Sequence, residues 1–113
     1  SIWDEHGLFL SKFLYALGMF VQSCGAPDVA NAAMMGPMAF DLYQLAWSFR
    51  LAESANIRQA VLFAVCTAMQ YLSLEQLLEV IMGTNDDVVR YLSDCASQDP
   101  DECCRELARE ACS

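Results

Sequence analysis

Apolar residues recur at helical spacing along almost the whole chain, and this pattern limits the fold more than any other feature. Leu10, Phe13, Leu14, Leu17, Phe20, Val21 and Cys24 follow one another at intervals of three and four, predicting a helix from about Ile2 to Cys24. Ser11, Tyr15, Gly18 and Gln22 form its narrow polar face. Leu8, Phe9, Ala16 and Met19 lie outside the main stripe, so the helix is expected to be buried on more than one side, inside a stack.

Gly25-Ala26-Pro27 stops this helix, with glycine just past the end and proline soon after. Asp28 to Met35 reads as a short helix that Gly36-Pro37 interrupts, and a further helix is predicted from about Met38 to Ala52 on Leu42, Leu45, Ala46 and Phe49. Ser54 or Asn56 caps a third long helix carrying Ile57, Ala60, Val61, Ala64, Ala68 and Leu72. Ser73-Leu74-Glu75-Gln76 has the form of a capping box. The stripe that follows, from Leu74 through Ile81 to Val88, Leu92 and Ala96, keeps its phase across Gly83-Thr84-Asn85, where a kink or very short break is expected. Asp99-Pro100-Asp101-Glu102 places a capping acid, a proline at the first helical position and a glutamate after it, predicting a last helix from Pro100 to about Cys112. Its face, Leu107, Ala108, Ala111 and Cys112, has nothing after it to cover it, so the chain is expected to be a segment cut from a longer protein or to end on an unusually small cap.

The expected fold is therefore all-α: five or six helices in antiparallel pairs, one helical-repeat domain over residues 1–113, a HEAT-like solenoid segment. At 113 residues such a domain buries roughly two-thirds of the surface its unfolded chain exposes. The apolar fraction of 56% raises the question of a membrane. The two longest charge-free stretches, Phe13 to Pro27 and Gln59 to Leu74, are shorter than the ~18 residues a span needs, and no membrane is expected. Acid at Asp4 and Glu5 stands where a secretory signal carries base. The net charge of −9 opposes direct nucleic-acid binding, which requires lysine and arginine to displace counterions. From Asp86 onward eight acids face three arginines, leaving −5 over the last 28 residues and −4 over the first 85.

Five of the six cysteines, Cys24, Cys66, Cys95, Cys104 and Cys112, continue apolar stripes and read as core residues of a reducing compartment, with neither disulfide nor metal. Cys103 and Cys104 point ~100° apart on a helix, a poor geometry for sharing one zinc. The single histidine, His6, lies beside Asp4 and Glu5 near one end, and no serine, cysteine or lysine has a histidine partner by motif. Asp86-Asp87 and the acids at 99–102 sit at helix starts, where they favour the dipole, and lack calcium-loop spacing. No cofactor and no enzymatic activity are expected.

Ser54-Ala55-Asn56-Ile57-Arg58, Asp86-Asp87-Val88-Val89-Arg90 and Asp101-Glu102-Cys103-Cys104-Arg105 share one form: a polar helix start, two residues, an apolar residue and arginine. The form resembles the first helix of a HEAT repeat, although the arginines are spaced 32 and 15 apart. In it Arg58, Arg90 and Arg105 pair with acids of the stack, while Asp99 and Pro100 start a helix. The segments 58–65, 91–96 and 99–108, with Leu14-Tyr15-Ala16-Leu17-Gly18-Met19-Phe20-Val21 and Leu45-Ala46-Trp47-Ser48-Phe49-Arg50, resemble the conserved C-terminal domain of the telomere length regulation protein family. That resemblance implies an α-solenoid adaptor of the Triple-T complex, cytoplasmic and nuclear. Its implied partners are the other Triple-T subunits, the phosphatidylinositol-3-kinase-related kinases and a chaperone with its co-chaperones. Through these kinases it implies roles in telomere maintenance and DNA-damage signalling.

The acidic end supplies the candidate partner surface, Asp86, Asp87 and Asp94 around the apolar Leu107 and Ala111. Met34, Met35 and Met38 are a second candidate, set against a role as gap-fillers beneath a loop. An alternative function is a carrier of a small ligand or lipid, which needs a closed apolar cavity of about 300 Å³ or more.

Overall fold

The computed structural model describes residues 7–25, 32–82 and 88–113, which form six helices: α1 (Leu8–Cys24), α2 (Ala32–Trp47), α3 (Ala55–Met69), α4 (Leu74–Ile81), α5 (Val88–Gln98) and α6 (Glu102–Cys112). The fold is all-α, with no strand among the described residues. No helix among them is long and apolar enough to cross a membrane.

Two helix starts follow the sequence closely. The Ser54 hydroxyl accepts the Ile57 N–H at 3.4 Å, capping α3. Ser73 accepts the Gln76 N–H at 3.1 Å while the Gln76 carboxamide accepts the Ser73 N–H at 3.0 Å, a complete capping box that satisfies two otherwise orphaned donors of α4.

Several boundaries differ from expectation, three of them in α1 and α2. Helix α1 starts at Leu8 rather than Ile2, because its N-cap Gly7 takes a left-handed φ of 75°. A Cβ there would lie 2.5 Å from the Ser54 Oγ, so glycine is required by space as well as by φ. Helix α2 runs through Gly36-Pro37 without a stop. Pro37 forfeits one ladder bond within two turns of Ala32, and the burial of Met35, Ala39, Leu42 and Ala46 keeps the segment helical. The same helix ends at Trp47, five residues early, where bonds from the Phe49 and Arg50 N–H groups to the carbonyls three residues back tighten the chain into turns. The expected kink at Gly83-Thr84-Asn85 lies outside the described residues.

Helix α3 is the hub. Ala60, Val61, Leu62, Ala64, Val65 and Ala68 are fully buried, and the helix packs on α1, α2 and α6. Helix α1 meets α3 far more broadly than it meets α2, while α5 folds back against α6. This hub arrangement does not establish a HEAT-like solenoid of successive pairs.

The face of α1 turned to α3 joins part of the apolar stripe to two residues the sequence marks as polar. Ser11, Leu14, Gly18 and Val21 are its buried residues, and the Gln22 carboxamide donates to Thr67 at 3.5 Å. Small side chains let the backbones approach: a Cβ on Gly18 would lie 2.6 Å from the Phe63 ring, which in turn packs on Tyr15 with centroids 4.9 Å apart. The large residues Phe9, Phe13, Met19 and Phe20 are exposed on the other side of the helix. Burial of α1 on more than one side is thus not seen among the described residues.

Candidate functional site

The turn between α5 and α6 gathers more polar contacts than any other part of the described chain. Asp99 is buried, and its carboxylate receives a two-pronged bond from Arg58 of α3, Nε to Oδ2 at 3.0 Å and Nη2 to Oδ1 at 3.1 Å. The remaining Arg58 nitrogen donates to the carbonyls of Ala52 and Glu53, at 3.2 and 2.6 Å. The bond to Asp99 raises the Arg58 pKa further, against the opposing pull of burial. Arg105 reaches back to the Asp99 carbonyl at 2.7 Å. Two of the three repeat arginines therefore converge on one residue, as the planar guanidinium allows; Arg90 stands on the exposed side of α5.

This geometry corrects the reading of Asp99 and Pro100 as a helix start. The N-cap of α6 is Asp101, whose carboxylate accepts the Cys104 N–H at 2.9 Å and the Gln59 side-chain amide at 3.0 Å. These bonds, the backbone one foremost, hold the Asp101 carboxyl below the usual carboxylate range. Asp99 accepts the Asp101 N–H at 2.9 Å, closing a side-chain turn that competes with helix and displaces its start by two residues, leaving Pro100 outside. Neighbours Arg58 and Gln59 on α3 thus grip both acids of the turn.

One cleft borders this clasp, and a second lies further along the α3–α6 seam. The first, of about 410 Å³, lies among Arg50, Leu51, Arg58, Tyr91, Asp94 and Asp99. The second, of about 240 Å³, lies among Gln22, Phe63, Cys66, Thr67, Leu107 and Ala111. The candidate partner residues are therefore split: Asp94 borders the first cleft, Leu107 and Ala111 the second, and Asp86 and Asp87 lie outside the described residues, as does His6. The α6 face expected to be open is covered over its first half, where α3 packs on the helix: Ala108 is fully buried, as is Cys104 one turn earlier, and Leu107 is half-buried, while Ala111 and Cys112 are exposed. Of the methionines, Met35 is in the core, Met38 is half-buried and Met34 exposed.

Sequence reasoning missed an aromatic cluster at the first cleft. Trp47 stacks on Tyr43 with centroids 5.6 Å apart and meets Tyr91 of α5 edge-on at 5.0 Å. Arg50 lies 4.6 Å over the Trp47 ring and donates to the Trp47 carbonyl at 3.0 Å. The four-residue step from Tyr43 to Trp47 and the three-residue step to Arg50 were the available signal, since such steps share a helix face. The Tyr91 hydroxyl is buried with no hydrogen-bond partner among the described residues, and desolvation pushes its pKa up.

All six cysteines are free thiols. Burial pushes Cys66 up to about 11 and Cys104 up to about 12, so both stay protonated near neutrality, the state in which thiols are poor nucleophiles. No group of three side chains able to hold a metal gathers among the described residues.

Fold and site together define an all-helical packing module whose polar side chains clasp one helix to another. Across 111 residues, 98% of its length, the chain is 34% identical to the human telomere length regulation protein TEL2 homolog. It is 26% identical over 108 residues to the protein of the same name in Xenopus laevis, and likewise in Xenopus tropicalis. The chain belongs to the telomere length regulation protein TEL2 family. It spans only about one-eighth of the length of these relatives, 13% of the human protein and 12% of the frog ones. No family model and no solved structure matches it.

Proposed function

We propose that the chain is a non-catalytic, protein-binding segment of a TEL2-family adaptor. In this reading it supports the maturation and stability of phosphatidylinositol-3-kinase-related kinases together with a chaperone and its co-chaperones, in cytoplasm and nucleus. Telomere maintenance and DNA-damage signalling follow through those kinases, and the other Triple-T subunits are its nearest partners. The observation that carries the reading is the 34% identity to the human TEL2 homolog across 98% of the chain. The geometry supports it in a second way: Arg58, Arg105 and Gln59 are engaged in holding helices together, and the buried thiols are kept protonated.

A carrier reading is less well supported. The groove between α1 and α2, lined by Leu17, Phe20, Met38 and Leu45, is apolar, but it is open and about 240 Å³ in volume.

The test is capture of the kinase and chaperone complexes by the tagged chain, followed by association rates for Asp94→Lys at low and high salt. Asp94 is exposed at the rim of the larger cleft, so its reversal is expected to leave the circular dichroism unchanged. Association should slow roughly threefold at low salt and less at high salt, as for a steering charge. Failure to capture either complex overturns the adaptor reading; normal capture with unchanged rates removes the acidic end from the binding surface.

A further inference from the structure

Helix α1 has two opposite faces, and the described residues cover one of them. Ser11, Leu14, Gly18 and Val21 meet α3. At 100° per residue, Phe9, Phe13 and Phe20 fall within about 40° of one another on the far side, and they are 63%, 47% and 59% exposed. Helix α2 extends this surface. Met34, Met38, Asp41 and Leu45 share one stripe of it, and Met38, Asp41 and Leu45 line the groove whose other wall is Leu17 and Phe20.

We infer that this face binds a second copy of the chain, as a twofold dimer. The first argument is area. Aromatic side chains present about 200 Å² each, so the exposed parts of the three phenylalanines, Met34 and Leu45 make an apolar patch on the order of 500 Å². A standard interface buries about 800 Å² per partner, about 65% apolar where homodimers form, which is the same figure.

The second argument is charge. In a chain of net charge −9, α1 carries Lys12 alone and α2 carries Asp41 alone, so here two copies meet without setting acid against acid. Both residues are exposed, Asp41 in the groove wall and Lys12 at the opposite edge of the phenylalanine stripe. A twofold interface is self-complementary. Any two points on a face are exchanged by one axis lying in it, so a single axis sets Lys12 of each copy against Asp41 of the other.

This inference does not rest on the adaptor reading. The test is sedimentation velocity on the 113-residue chain from about 1 to about 100 µM, a range that brackets micromolar association. Dimers are expected, with Phe13→Asp/Phe20→Asp monomeric and still helical by circular dichroism. Lys12→Glu and Asp41→Lys are each expected to weaken the dimer roughly tenfold, and the double exchange to restore most of the affinity. Recovery in the double variant separates a pairing role from a structural one. A monomer throughout overturns the proposal, as does open-ended association or a dimer insensitive to the phenylalanine change. Monomers in which a synthetic leucine/lysine amphipathic helix protects Phe20→Cys from alkylation also overturn it, assigning the face to a foreign helix.

Discussion

The two ends of the molecule are held by different physics. Among the described residues, 7–69 carry Lys12, Arg50 and Arg58 against Asp41 and Glu53, whereas 88–113 carry three arginines against six acids. Helix α3 buries seven side chains; α5 buries Val88 and Leu92, and α6 only Cys104 and Ala108. The first region coheres by close apolar contact between α1, α2 and α3. The second buries fewer side chains and adds to the packing of Cys104 and Ala108 directional bonds to α3 through Arg58 and Gln59. Close packing tolerates loss of polarity but not change of volume, and a clasp the reverse.

The largest expected effect falls on the clasp. Arg58→Ala leaves the Asp99 carboxylate buried without its cation and frees the Ala52 and Glu53 carbonyls, at a cost of about 3 kcal/mol in urea unfolding. Arg58→Lys keeps the charge but loses the fork, and roughly half that cost is expected. Hydrogen exchange in 88–113 should rise before exchange in α1 and α3. A uniform rise would show the two ends to be one cooperative unit, and a loss under about 1 kcal/mol would make the pair a surface ornament.

A smaller effect of opposite origin is expected in the apolar half. Propensity alone says that Gly18→Ala stabilises α1 by up to about 1 kcal/mol. The added Cβ, however, would come 2.6 Å from the Phe63 ring, and overpacking costs about 1–3 kcal/mol. A net loss of about 1 kcal/mol is expected by thermal unfolding, and it should vanish in a Phe63→Leu background. A gain in the parent background would mean that the α1–α3 seam yields.

The sequence made local chemistry legible and left tertiary choices hidden. Ser54 and the Ser73–Gln76 box are settled within four residues, so reading them required no knowledge of neighbours. Pro37 sits inside α2 because burial around Met35 and Ala39 outweighs one lost bond, and burial is a property of the whole fold. The α1 stripe was read at the right period but centred too far round the helix: Leu14 and Val21 are buried and Leu10, Leu17 and Cys24 half-buried, whereas Phe13 and Phe20 are exposed and Ser11 and Gly18 join the buried face. Gly18 and Ser11 look polar in a list, yet small size is what a close helix crossing selects. The repeat form singled out Arg58 and Arg105, and both bond to Asp99, which was taken for a cap. Which of two neighbouring acids caps and which pairs depends on where α3 lies, 41 residues away in sequence.

The smallest expected effect separates those two acids by titration. The Cys104 N–H and the Gln59 amide hold the Asp101 pKa below its unfolded value, so ionised Asp101 contributes stability above the ordinary carboxylate pKa of about 4, and the contribution is lost as pH falls through the lower folded value. Asp101 is partly exposed, and solvent screening limits the contribution to a few tenths of a kcal/mol. Asp101→Asn keeps a capping oxygen for Cys104 but does not titrate, and asparagine caps about as well as aspartate. The variant should therefore be slightly less stable than the parent at pH 7, and the gap between their melting temperatures should close by about pH 3. A gap constant from pH 7 to pH 3 would mean that Asp101 acts by shape alone. The charge dependence of the α5–α6 end would then lie in the acids that border its clefts.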